Sequence, residues 1–155
     1  MKHVLTLCLS LALGVGGAKE SYFGGGVSLY LIFPMAIVQA GFKVAENVHV
    51  RTHLDSVLVI NTLGSDFLYT FSNQSLELYA GAGADMIGLL SLPSDAEYPN
   101  VFFGIHGTFG FEVRQDAFGY FLELQPGLAF LDQSQPFLKT RAGINFYYRY
   151  APQNE

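Results

Sequence analysis

Four polar side chains alternate along one stretch of the sequence, and their types could do chemistry together. In the segment 48–55, His49, Arg51, His53 and Asp55 occupy every second position, with Val, Thr and Leu between them. Because successive side chains of a β-strand point to opposite faces, a strand here has one polar and one apolar face. Imidazoles on one face could bind a metal ion, and the arginine and carboxylate could form ion pairs. The outcome depends on whether the polar face points inward.

The same alternation recurs along the chain and predicts eight β-strands without a helix. Gly64 predicts a loop over residues 61–65. Pro126 falls inside the seventh strand and cannot donate to a sheet ladder, which predicts a bulge at residues 125–127. Tight turns at 45–47, 73–74 and 115–117 alternate with looser connections, as in a membrane barrel. The predicted strands cover residues 22–31, 36–44, 48–60, 66–72, 75–89, 101–114, 118–131 and 137–150.

The composition and charge of the chain exclude several classes of protein. Charged residues are 14% of the chain, against roughly 25% in ordinary soluble domains. The net charge of −5 and the lack of a basic patch exclude a nucleic-acid partner. No segment has the 18 or so consecutive apolar residues of a transmembrane helix. A closed β-barrel is then the remaining way to span a bilayer.

The first 18 residues have the pattern of a secretory signal peptide. Lys2 and His3 precede an apolar run, and small residues at Gly16 and Ala18 fit a cleavage site. We therefore expect a signal peptide at residues 1–18 and one barrel domain at residues 19–155. Cys8 follows a leucine and is not predicted to be acylated, and the mature chain has no cysteine for a disulfide.

The charges on the polar faces are nearly balanced, with six basic and five acidic side chains. An enclosed face needs such balance, because an unpaired buried charge costs several kcal/mol. We therefore predict an all-β, eight-stranded, antiparallel, up-and-down transmembrane barrel with a polar, side-chain-filled lumen. The alternative is a soluble periplasmic β-barrel with the faces reversed. The predicted lumen network comprises Lys43, His49, Arg51, His53, Asp55, Glu77, Asp85, His106, Glu112, Arg114, Glu123, Gln125, Lys139, Arg141 and Arg149.

The chain resembles the small outer-membrane barrels of the OmpA transmembrane-domain and OmpX type. The resemblance covers about residues 22–150 and lies in the signal peptide, the strand number, the alternation and the last strand. In that strand Ala142, Ile144, Phe146, Tyr148 and Tyr150 alternate toward an aromatic end. The resemblance implies an outer-membrane location, contacts with outer-membrane lipids and insertion by the barrel-assembly machinery. The chain departs from the family in its lack of tryptophan.

Three classes of function fit this architecture. The first, which we favour, is a structural or envelope-anchoring barrel; the second is a small channel or uptake protein. The third is a lipid-modifying enzyme, since His106-Gly107-Thr108 is faintly similar to the His-x-Ser element of lipid A deacylases. Phe109 departs from that family's pattern, so we expect no enzyme.

The remaining motifs predict no cofactor. We interpret His49, His53 and His106 as hydrogen-bonding groups of a polar interior, with no bound metal. A patch of small residues at Ala80, Ala82 and Ala84 falls on the presumed lipid face and could support weak homo- or hetero-association.

The signal-peptide assignment predicts the amino terminus of the exported protein. Intact-mass measurement of the membrane-extracted protein should show a chain that begins at Lys19, with no attached lipid. A chain that retains residues 1–18, or that carries an acyl group at Cys8, would contradict the assignment.

Overall fold

Eight β-strands make up a computed structural model that describes residues 20–30, 33–57, 60–71, 75–89, 101–130 and 133–148. Within these ranges no helix has the length and hydropathy of a membrane span. The strands are β1 (Ser21–Tyr30), β2 (Phe33–Ala45), β3 (Val48–Val57), β4 (Ile60–Thr70), β5 (Leu76–Leu89), β6 (Val101–Gln115), β7 (Phe118–Phe130) and β8 (Ser134–Tyr148).

The strands form a closed antiparallel barrel. Each strand pairs with the next along the chain, and β8 pairs with β1 from Ser21 opposite Tyr148 to Tyr30 opposite Lys139. Closure gives the described strands no free edge, so their backbone groups bond within the sheet. The predicted fold class, an eight-stranded up-and-down barrel, is confirmed.

The two faces of the sheet differ sharply in polarity. In β6, Thr108 is fully buried, whereas its neighbour Phe109 is 57% exposed. The same division separates buried Glu123 from exposed Leu122 and Leu124 in β7. The apolar residues therefore face outward and the polar residues face the lumen, as the alternation predicts.

The lumen is not polar along its whole length. At the end of the barrel opposite the tight turns, Ile87, Ala129 and Phe137 form a buried apolar cluster, with Tyr30 and Phe102 packed against it. The tight turn at residues 46–47 joins β2 to β3, and the turn at residues 116–117 joins β6 to β7. Asp116 adopts a positive φ of 54° in the second turn, a conformation that Asp tolerates well. This apolar layer is not among the features predicted from the sequence.

The predicted loop at residues 61–65 is wrong. Residues 61–65 belong to β4 and pair with both β3 and β5, and Gly64 lies opposite His53 and Asp85. A Cβ at Gly64 would collide with the Asp85 carboxylate and the His53 ring. The glycine is thus explained by close side-chain packing inside the barrel and not by a turn.

The predicted bulge at residues 125–127 is also wrong. The β7–β8 register runs unbroken through Pro126 opposite Leu138. On the β6 side, pairing stops at Phe109 opposite Leu124 and resumes with the same register at His106 opposite Gly127. The proline therefore interrupts one ladder without adding a residue. The register shift that the described sheet does contain lies between Lys43 and Ala45.

The backbone nitrogen of Pro126 faces β6. The Tyr147 N–H donates to Ala117 O at 2.8 Å, so odd-numbered residues of β7 turn their backbone groups toward β8 and even-numbered residues turn theirs toward β6. The register places Gly107 opposite Pro126, and its carbonyl lacks the donor that proline removed.

Replacement of Pro126 by valine should restore this ladder bond. We expect the new amide of residue 126 to exchange with deuterium as slowly as the Leu124 amide, which also faces β6. Hydrogen exchange followed by NMR in detergent micelles measures both in one sample. Exchange of the new amide at the rate of a solvent-exposed group would contradict the undisturbed register.

Candidate functional site in the barrel lumen

The predicted polar residues that the structure describes lie inside the barrel. Arg149 is outside the described residues. Those in the middle are buried, and those nearer the tight turns, Lys43, Glu77 and Arg114, are half-buried. The buried members are His49, Arg51, His53, Asp55, Asp85, His106, Glu112, Glu123, Gln125, Lys139 and Arg141.

Arg51 of β3 is the centre of the network. Its Nε donates to Asp66 Oδ2 at 2.8 Å, and its two terminal nitrogens donate to the Glu123 carboxylate, one of them at 3.1 Å. Tyr79 donates its hydroxyl to the same carboxylate at 2.7 Å. Charge-assisted bonds of this bidentate kind are the strongest that side chains form. They tie β3, β4, β5 and β7 together across the lumen.

A second set of ion pairs joins β8 to β3 and β5. Asp55 lies 3.3 Å from both Lys139 Nζ and an Arg141 terminal nitrogen. Lys139 also contacts Asp85 at 3.2 Å, and Arg141 reaches Glu123 at 3.5 Å. Arg141 donates to Gln39 Oε1 at 3.2 Å as well. Each of these buried cations therefore faces more than one anionic or polar oxygen.

Two histidines lie among the carboxylates of the same level. His106 Nε2 is 2.7 Å from Asp66 Oδ1, and His106 Nδ1 is 3.2 Å from Asp85 Oδ2. His53 approaches Asp55 at 3.4 Å, Asp85 at 3.5 Å and Asp66 at 3.6 Å. We call the following nine side chains the central cluster: Arg51, His53, Asp55, Asp66, Asp85, His106, Glu123, Lys139 and Arg141.

A separate group of charges lies near the tight turns. Arg114 lies 2.8 Å from Glu20 and 3.0 Å from Glu77, and its guanidinium stacks 3.8 Å above the ring centroid of Tyr147. A small cavity opens at this end, and Arg51 is one of its lining residues. We call this cavity the turn-end vestibule.

Asp66 belongs to the central cluster but was not predicted from the sequence to be a lumen residue. It is fully buried and contacts Arg51, His53 and His106. The signal was present in β4, where Phe67 and Tyr69 are exposed and Asp66 is buried. The loop predicted over 61–65 left Asp66 as the first residue of a short predicted strand, so it was not assigned to the lumen. Other polar residues of the lumen are Ser28, Gln39, Thr62, Thr70, Tyr79, Thr108 and Asn145.

This arrangement is suited to closing the lumen. Three cations and four carboxylates of the central cluster are at most 2% exposed, so water does not screen them. Such groups require partners, because isolated buried charges cost several kcal/mol each. The pairing holds side chains from opposite walls across the middle of the tube.

The small-residue patch lies on the outer face of β5. Ala82 and Ala84 are exposed and Ala80 is half-buried. Their neighbours across the ladders include Phe67 and Phe109, so the patch is a shallow depression between aromatic side chains.

Comparison with solved structures agrees with this description. The N-terminal β-barrel domain of OprF from Pseudomonas aeruginosa matches with a TM-score of 0.67 and 14% identity, over 84% of this chain and 98% of that chain. Neisserial surface protein A matches with a TM-score of 0.51 and 9% identity, over 84% and 95%. No protein-family model and no curated protein matches the chain. At these identities the likeness establishes the fold: an eight-stranded barrel like those of small outer-membrane proteins.

From the central cluster we predict that neutralising a buried carboxylate destabilises the barrel more than neutralising a half-buried one. Glu123→Gln should lower the free energy of unfolding by about 3–5 kcal/mol, because it leaves Arg51 and Arg141 undercompensated in the interior. The matched control is Glu77→Gln, which removes a half-buried partner of Arg114 and should cost about 1 kcal/mol or less. Urea titration in detergent micelles, followed by heat-modifiable gel migration, measures both. Equal losses would contradict the assigned role of the central cluster.

Proposed function

We propose that the chain is an integral outer-membrane protein whose barrel has a structural, envelope-anchoring role. The observation that carries this proposal is the closed middle of the lumen, where paired side chains from opposite walls fill the tube. A barrel with a filled interior and an apolar exterior is a rigid element embedded in lipid. We expect outer-membrane lipids to surround it.

The outer surface supports the membrane location. Apolar side chains such as Phe67, Phe103 and Phe109 are 57–65% exposed, and other large apolar residues are exposed on every described strand except β3, whose outward residues are half-buried. A soluble monomer rarely exposes a contiguous apolar patch larger than a few hundred Å². A belt around a closed barrel fits an acyl-chain environment, where the polar face must point to the lumen.

The buried side chains argue against the channel alternative. Arg51, Lys139 and Arg141 are among the largest fully buried side chains, and each is held by carboxylates. An ion would have to break several of these pairs to pass. The turn-end vestibule reaches Arg51, so it leads to the central cluster.

The geometry also argues against a lipid-modifying enzyme. His106 and Thr108 face the lumen, and both contact Asp66 Oδ1, at 2.7 Å and 3.4 Å. Their side chains are at most 4% exposed, whereas a lipid substrate would meet the outer face. The motif therefore contributes to the interior network.

Export and assembly complete the proposal. A signal peptide at residues 1–18, a segment outside the described residues, would direct the chain across the inner membrane. The alternating last strand would then be recognised by the barrel-assembly machinery. Weak association through Ala80, Ala82 and Ala84 stays a prediction that cysteine cross-linking at Ala82 in membranes would test.

Electrical recording tests the closed lumen. The purified protein in planar lipid bilayers should give no steady conductance above the bilayer background. Steady single-channel openings would contradict the structural role and favour the channel.

Lysine substitutions on the outer face test the membrane location. Phe109→Lys, in the middle of β6, should make folding into lipid vesicles less favourable by about 2–4 kcal/mol, because the charge falls near the bilayer midplane. Phe118→Lys replaces another exposed phenylalanine, next to the tight turn, and should cost about 0–1 kcal/mol. Equal, small costs at both positions would indicate that the outer face does not contact acyl chains.

A further inference from the structure

Two imidazoles and a carboxylate converge in the central cluster. One ligand atom from each of His53, Asp66 and His106 lies within 4.8 Å of the others, and all three residues are buried. They come from three strands, β3, β4 and β6, so the closed sheet fixes their separation. Convergence of this kind at one point is what a metal ion requires.

His53 lies among three carboxylates without forming a hydrogen bond to any of them. Among the described residues, neither of its ring nitrogens has a hydrogen-bond partner, although its side chain is fully buried. The carboxylates around it are 3.4–3.6 Å away. Asp85 Oδ1, 3.5 Å from His53 Nε2, likewise has no hydrogen-bond partner among the described residues. Buried polar atoms are normally satisfied, so these atoms point to a missing ligand between them.

The remaining oxygens are already arranged for such a ligand. Arg51 binds Asp66 at Oδ2, which leaves Oδ1 directed at His106. Lys139 binds Asp85 at Oδ2, which leaves Oδ1 directed at His53. Hydrogen-bonded partners that fix the outer side of a ligand are typical of metal sites in proteins.

Space and charge favour a cation. Gly83 faces Asp66 and His106, and Gly64 faces His53 and Asp85, so any larger residue would fill the space between the ligands. With neutral histidines, the central cluster has four carboxylates and three basic side chains. A net negative, enclosed site gains by taking up positive charge.

We propose that His53, Asp66 and His106 bind one divalent transition-metal ion in the lumen, with Asp85 as the nearest further carboxylate. Two imidazoles with carboxylate oxygens suit Zn²⁺, which takes four ligands in structural sites. The ion would hold β3, β4 and β6 together and would stabilise the barrel. Because the ligands are buried, the site is structural and exchanges its ion slowly. This inference goes beyond the proposed anchoring role and does not depend on it. It replaces the sequence-based expectation that His53 and His106 bind no metal.

Zinc retention by the wild-type barrel is the first test. Untagged protein is refolded in detergent with Zn²⁺ or with EDTA, passed through gel filtration, and analysed for metal content. We expect about one zinc ion per chain after Zn²⁺ refolding. We also expect a higher unfolding temperature than for the EDTA sample, and slow zinc loss to EDTA while the barrel stays folded. A folded wild-type barrel that retains no zinc overturns the proposal, whatever the variants do.

Three variants locate the ion. His53→Asn and His106→Gln should each lower zinc affinity by at least about a hundredfold, since loss of a second-shell partner alone costs roughly 10–100-fold. His49→Gln removes the other lumen histidine, which lines the turn-end vestibule, and should leave affinity unchanged. Wild-type-level retention in the first two variants, or loss in His49→Gln, would overturn the assignment.

Visible absorption provides an independent readout on the folded wild-type protein. Co²⁺ in place of Zn²⁺ should give the intense d–d bands of four-coordinate geometry, and Zn²⁺ should abolish them. Only the weak bands of hydrated, six-coordinate Co²⁺ would contradict the enclosed site.

Discussion

The fold depends on neutralising charges inside a narrow closed tube. Arg51 is 1% exposed, so its charge is tolerable there only with the carboxylates of Asp66 and Glu123 beside it. Each of these carboxylates has a further cation or histidine partner, which extends the requirement around the barrel. The pairing is a condition for closure as much as a source of stability, because removing one partner strands the other.

The small residues inside the barrel follow from the same constraint. A tube of eight strands has room for its own side chains and little more. The rings of His53 and His106 therefore require glycine on the facing strands. Gly64 and Gly83 provide this space beside the histidines. The apolar layer of Ile87, Ala129 and Phe137 fills the lumen where the charged groups end.

The sequence could predict the strands and most of the network because alternation survives closure. The positions of Arg51, Glu123 and Arg141 followed from parity alone. The position of Asp66 did not, because the loop predicted at Gly64 left it as the first residue of a short strand. A glycine's role depends on which side chains face it across the sheet, and one strand's sequence does not contain that information.

Pro126 and the apolar layer were missed for a related reason. A proline in a closed sheet can cost one hydrogen bond and leave the register intact, because its nitrogen faces only one of the two neighbouring strands. Whether a proline causes a bulge or leaves the register unbroken depends on the pairing with both neighbouring strands. The inward positions of Phe121 and Phe137 likewise follow parity and contradict hydrophobicity, so a rule based on polarity misassigns them.

These two inward phenylalanines show directly whether geometry, and not polarity alone, decides which side chains meet lipid. Leu122 and Phe121 are neighbours in β7, 47% and 4% exposed. NMR measurement of nuclear Overhauser effects between protein side chains and lipid acyl chains in nanodiscs distinguishes them. We expect acyl-chain contacts at Leu122 and none at Phe121 or Phe137. Acyl-chain contacts at Phe121, or their absence at Leu122, would contradict this expectation.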